Sequence, residues 1–143
     1  MEPISIIASI TGVLLGAAQI TKVVSDFIEK EKDAPKSAQS VVLELSDLSL
    51  CLSQLAPFIK GTRHAERGRQ ACISIEQVVI LSTSLALSIS ELEELVDALK
   101  LRQLISKLAK IRWVMNEGKI NRLLSRLRAS KSSLNLVLTI FTW

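Results

Sequence analysis

The chain has 143 residues, of which 48% are hydrophobic and 22% charged, enough to bury one core and too apolar for a disordered segment. Five glycines and three prolines leave too little turn chemistry for a many-stranded sandwich or barrel. One histidine (His64) and two cysteines (Cys51, Cys72) argue against zinc sites and His-based catalysis, and the two thiols, far apart in the chain, read as core or near-core groups in a reducing compartment. The net charge of +4 hides a strong polarity. Residues 1–99 carry eight Lys/Arg against thirteen Asp/Glu, whereas residues 100–143 carry ten against Glu117 alone. Such a chain can pair its own halves or offer a basic face to a phosphate-bearing partner.

The first predicted helix spans residues 3–30. Pro3 suits an opening turn, where its missing N–H costs nothing. No charge occurs from Pro3 to Thr21, and the apolar set Ile6, Ile7, Ile10, Val13, Leu14, Ala17, Val24, Phe27 and Ile28 is wide enough to imply burial on most sides. The stretch lacks the basic n-region of a signal peptide. It is long enough to span a bilayer, yet Ser5, Ser9, Thr11, Gln19 and Thr21 make it polar enough to remain in solution when packed. The charged run from Glu29 to Asp33, followed by Ala34-Pro35, marks a solvated break, because proline drives the preceding residue out of the α region.

The second helix is predicted over 35–59, with Val41, Leu45, Leu48, Leu52, Leu55 and Ile59 alternating by four and three as a heptad seam. Pro57 is expected near its end, and residues 60–69, with two glycines and a charge run that includes an exposed His64, read as a loop. The third helix, 70–99, places Ile75, Val78, Val79, Leu85, Ala86, Ile89, Leu92, Val96 and Leu99 on one stripe. Glu91, Glu93, Glu94 and Asp97 crowd its end, which the helix dipole disfavours unless cations lie nearby. Residues 103–142 form the basic C-terminal helices: a short one ending near Met115 and a longer one from about Lys119, with Ile120, Leu123, Leu124, Leu127, Leu134 and Leu138 facing inward. No strand and no internal repeat is found. Four long helices and one short one make an all-α antiparallel bundle, a single domain over 1–143.

Two constellations stand out. Gly12 and Gly16 form a GxxxG, extended backwards by Ala8, inside the apolar helix. Small residues four apart let backbones approach, favouring self-association in lipid, or close packing against helix two or five within one bundle. Lys119, Arg122 and Arg126 share a helical face, with Lys107, Lys110, Arg112 and Lys131 expected close by. This is a surface for anionic lipid or a solvated face partly neutralised by the Glu91–Asp97 acids. Glu91, Glu94 and Asp97 are read as one solvent-facing cluster rather than a metal site. Nucleic acid is disfavoured, since only Trp113 interrupts the basic region and stacking platforms need more aromatics. No phosphate-binding loop, nucleophile elbow or dinucleotide fingerprint is present. An enzyme is not expected, nor is a cofactor.

Three segments together carry a family resemblance: Met1-Glu2-Pro3-Ile4-Ser5-Ile6-Ile7-Ala8-Ser9 before a Gly/Ala-rich apolar helix; Lys32-Asp33-Ala34-Pro35-Lys36-Ser37 leading into a leucine helix; and Lys119 to Leu127 followed by Lys131-Ser132-Ser133-Leu134-Asn135-Leu136. In order and spacing the chain resembles the N-terminal domain of fungal STAND (NLR-like) receptors, the HeLo-like group. The resemblance implies a helical bundle that executes programmed cell death, as in heterokaryon incompatibility and innate immunity. In such domains an N-terminal helix is released, oligomerises and enters the plasma membrane. Carried over, Ile6, Ile7, Ile10, Gly12, Val13, Leu14 and Gly16 would insert and self-associate, while Lys107, Lys110, Arg112, Lys119, Arg122 and Arg126 would meet anionic lipid. The implied partners are further copies of the domain, an anionic phospholipid membrane and an NLR-type receptor. The implied location is cytoplasmic, moving to the plasma membrane on activation. Ending at Trp143, the chain reads as an excised domain or a stand-alone member. Some pore-forming relatives carry an acidic residue within the apolar helix; here Glu2 precedes it. A soluble homotypic or heterotypic interaction module, using the heptad seam and apolar surface, is the competing expectation.

Overall fold

The computed structural model describes residues 3–31, 33–62, 69–103 and 105–142, with side chains described over 6–31, 33–57, 76–103, 105 and 107–139. The side chains of Ile59, Cys72 and Ile75, and all of His64, lie outside this set. The chain forms α1 (Pro3–Lys30), α2 (Lys36–Thr62), α3 (Arg69–Leu99), α4 (Ser106–Met115) and α5 (Glu117–Thr142). The four long helices occupy the corners of a bundle: α1 packs on α2 and α3, and α5 packs on the same two helices from the opposite corner. Consecutive long helices run antiparallel, as expected. The non-consecutive neighbours run parallel, since Glu44 and Cys51 of α2 meet Arg128 and Asn135 of α5 in the same seven-residue step.

Each corner turns one stripe inward. Ile6, Ile10, Val13, Ala17, Ile20, Val24 and Phe27 of α1 are buried at three- and four-residue intervals, the period of one helix face. On α2 the heptad positions Val41, Leu45, Leu48, Leu52 and Leu55 are all buried. On α3, Val78, Leu85, Ile89, Leu92, Val96 and Leu99 are buried, as are Ile120, Leu123, Leu124, Leu127 and Leu134 of α5. Val79, Ala86 and Leu138 pack only partly against the core.

Helix ends depart from expectation in instructive ways. Helix α2 continues through Pro57 to Thr62, shortening the expected loop. Pro57 removes the N–H that the Ser53 carbonyl would accept, but Ser53 and Pro57 are both exposed, so water can take that carbonyl. Helix α3 ends with Lys100 in the left-handed region at φ 50°, a helix-terminating conformation, and the Arg112 Nη1–H donates to the Ala98 carbonyl at 3.4 Å. Helix α4 starts at Ser106 rather than 103, and α5 follows after one residue, Asn116. The Asn116 N–H donates to Trp113 and Val114 carbonyls, and its Nδ2 donates to the Arg112 carbonyl at 2.9 Å, so the side chain closes the first helix and frees the chain to begin the next.

The short helix turns Ala109 and Trp113 into the bundle, and Trp113 is its large anchor. Trp113 is completely buried, its ring stacked on Phe27 of α1 with centroids 5.5 Å apart, and its Nε1–H donates to Ser37 Oγ of α2 at 2.8 Å. Tryptophan suits such a place because its large apolar surface is buried while its single donor is satisfied.

Candidate membrane-facing surfaces

Helix α1 divides its predicted site residues between two environments. Ile6, Ile10 and Val13 lie in the core, and Ile7 and Leu14 pack partly against it. The opposite side, running through Ala8, Thr11, Gly12, Leu15, Ala18 and Gln19, is exposed and uncharged. Two of the hydroxyls that interrupt the apolar sequence are satisfied by their own helix: Thr11 donates to the Ile7 carbonyl at 2.9 Å and Thr21 to the Ala17 carbonyl at 2.7 Å. Such back-bonding hides polarity inside the helix and lowers its cost in an apolar medium.

The two glycines do not act as a pair within the bundle. A Cβ on Gly16 would stand 2.8 Å from Cγ2 of Ile89, whereas one on Gly12 would meet nothing within 4 Å. Gly16 therefore permits close approach of α3, not of α2 or α5 as the sequence had led one to expect. Gly12 faces outward. Residues four apart differ by about 40° around a helix, and here that offset separates an interhelix seam from open surface.

The basic residues form no single field. Arg126 pairs with Glu91, and Lys119, Arg122 and Arg126 share a groove of about 540 Å³ with Glu91 and Glu94. The acids at the end of α3 thus find the cations that the helix dipole requires. Lys131 does not join this face. It turns to α2, with Nζ 2.8 Å from Glu44 Oε2 and 3.3 Å from Asp47 Oδ2, while Arg128 Nε lies 3.2 Å from Glu44 Oε1. Hydrogen bonding to Glu44 raises the Lys131 pKa above the usual 10.5. Nor do Glu91, Glu94 and Asp97 form one cluster: Asp97 borders, with Glu93, a different groove beside Lys22 of α1 and Arg102. Arg102 itself pairs with Asp26 at 3.4 Å.

The cations of α4 differ from those of α5. Lys107 and Arg112 are exposed and Lys110 half-exposed, and among the described residues none of the three pairs with a carboxylate. Beside them Leu108, Ile111 and Met115 are also exposed. Sequence reading took the cations and overlooked these apolar neighbours, although their three- and four-residue spacing was visible. Trp113 lies inward, so it offers no surface for base stacking. Cys51, half-buried, places Sγ 3.4 Å from Asn135 Oδ1, and burial, reinforced by Asp47, pushes its thiol pKa up, away from nucleophilic character.

No protein-family model, no curated protein and no solved structure matches this chain.

Proposed function

We propose that this bundle is the N-terminal effector module of a fungal NLR-like protein, a HeLo-like domain that targets membranes and induces cell death by releasing α1. The observation that carries the reading is the character of α1. Residues 6–30 are long and apolar enough to cross a bilayer, and only 28% of that stretch is fully buried. At rest its apolar stripe belongs to the core; its other side bears no charge between Ala8 and Gln19. On release, both sides tolerate lipid, and the Gly12 and Gly16 faces become available together for helix–helix contact. The domain begins in the cytoplasm and ends at the plasma membrane, with further copies of itself as its first partners and an NLR-type receptor upstream or downstream. No catalytic chemistry is part of the proposal.

Dye leakage from anionic vesicles tests it. The intact chain is expected to release dye and a chain lacking residues 1–21 is not. Gly12→Leu, which leaves the bundle seams untouched, is expected to reduce leakage by disturbing self-association. An intact chain that leaves vesicles sealed at every concentration overturns the reading.

A second reading rests on a separate observation. A groove of about 540 Å³ between α3 and α5 is bordered by Ile80 and Leu136, which are 70% and 63% exposed. Apolar surface of this kind suits a soluble protein-interaction module. Concentration-dependent association in light scattering, unaltered by vesicles and abolished by Ile80→Ser, is the result that would favour it.

A further inference from the structure

Helix α4 has two apolar sides: the bundle covers one, and among the described residues nothing covers the other. Ala109 and Trp113 point inward and are buried. At about 100° per residue, Leu108, Ile111 and Met115 lie roughly 140–160° around the helix from Trp113. They are 48%, 54% and 79% exposed. This outward ridge is flanked by Lys107 and Lys110 on one side and Arg112 on the other.

Charge decides what kind of surface would cover it. From Ala98 to Asn116 the sequence contains five basic residues and no acidic one. Four cations elsewhere pair with carboxylates: Arg126 with Glu91, Arg128 and Lys131 with Glu44, Arg102 with Asp26, and Lys119 and Arg122 line a groove that holds Glu91 and Glu94. Among the described residues Lys107, Lys110 and Arg112 of α4 pair with no carboxylate, and they stand beside exposed leucine, isoleucine and methionine. An apolar ridge edged by lysine and arginine matches the boundary of an anionic bilayer, where acyl chains accept the ridge and headgroups accept the cations.

We infer that the outward face of α4 docks the closed bundle onto an anionic lipid bilayer before α1 leaves. The inference rests on the membrane reading above but concerns a different helix and an earlier step. The Trp113 side of α4 stays clamped to Phe27 and Ser37, so docking requires no unfolding. At about 1.5 Å per residue, ten residues form a rod ~15 Å long, suited to lying in the interfacial plane and too short to span it. Docked this way, α4 would concentrate copies of the domain on the membrane surface, which favours self-association of whatever is released next.

Co-flotation of the full chain with vesicles of phosphatidylcholine, with and without phosphatidylserine, tests the inference alongside dye leakage. The wild type is expected to float with the anionic vesicles. Lys107→Gln with Lys110→Gln should weaken this by roughly fivefold per cation removed. Leu108→Ser with Met115→Ser should weaken it by at least about tenfold. All four positions are at the surface, and unchanged thermal melts would verify the fold. Double variants that float as well as wild type overturn the inference, as does a wild type that does not float. So does loss of lipid-free self-association in light scattering by the ridge variant, which would make the occupant a second copy of the chain. The two readings separate cleanly. Wild type that floats through the ridge without leakage defeats α1 release alone; leakage that persists while ridge variants float normally defeats α4 docking alone.

Discussion

Trp113 and Ser37, 76 positions apart in the chain, are joined by an indole-to-hydroxyl hydrogen bond of 2.8 Å. Together with the stack on Phe27, it ties the short helix to the first turn of α2 and the last turn of α1. Truncation by Trp113→Ala is expected to destabilise the bundle by about 3–5 kcal/mol. Ser37→Ala, which leaves the indole donor unpaired, should cost about 1–3 kcal/mol. Chemical denaturation measures both, and a Trp113→Ala variant within about 1 kcal/mol of wild type would show that α4 is held by something else.

Gly12 and Gly16 are expected to separate cleanly on substitution. Gly12→Ala fills open space, so relief of glycine's helix penalty should stabilise the fold by about 0.5–1 kcal/mol. Gly16→Leu must push α1 away from Ile89, where even a methyl carbon would stand at 2.8 Å, and should destabilise by at least ~1–3 kcal/mol. Under the proposed release of α1, Gly16→Leu should free the helix more readily as well as altering its contact face, whereas Gly12→Leu should alter the face while holding the helix slightly more firmly. Equal melting temperatures for the two leucine variants would contradict this division.

Ser88 of α3 is 1% exposed, and its Oγ is buried without a hydrogen-bond partner among the described residues. An unmet buried hydroxyl costs free energy that its removal restores. Ser88→Ala is expected to raise stability by about 1 kcal/mol in a urea titration. A clear loss would mean that the hydroxyl has a function in the bundle that its surroundings do not reveal.

Lys131 gives a pH dependence with a definite sign. Its folded-state pKa is raised, chiefly by hydrogen bonding to Glu44. Its contribution is therefore complete below the unfolded value, near 10.5, and disappears as pH rises through the folded value. Wild type is expected to lose stability relative to Lys131→Met only above about pH 10.5, with no difference in slope between pH 6 and 9. A divergence of the two curves near neutrality would contradict the assignment.

The heptad seam of α2 was legible because its leucines fall on one face and polar residues fill the others; Val41 to Leu55 are buried as that spacing requires. Pro57 was a misleading stop signal, since one exposed proline costs a hydrogen bond without ending a helix. Periodicity gives a face, not a neighbour. It therefore placed Gly16 on a packing surface without naming α3, and grouped Lys131 with cations that look toward another helix. In α4 the difficulty was different. Apolar residues occur around most of the helix, so the sequence alone did not say whether Trp113 or the Leu108–Met115 ridge faced the core. Indole stacking and the Ser37 bond decide that, and both depend on residues far away in the chain.

If α1 departs as proposed, the corner arrangement bears on what remains. Because α5 packs on both α2 and α3 from the corner diagonal to α1, removal of the first helix would leave those two seams to hold the remaining long helices together as a wedge. That wedge would carry an apolar trough where α1 had lain. A bilayer, a neighbouring wedge or the same helix returning must compete to refill it, so the vacated trough would govern whether the event is reversible.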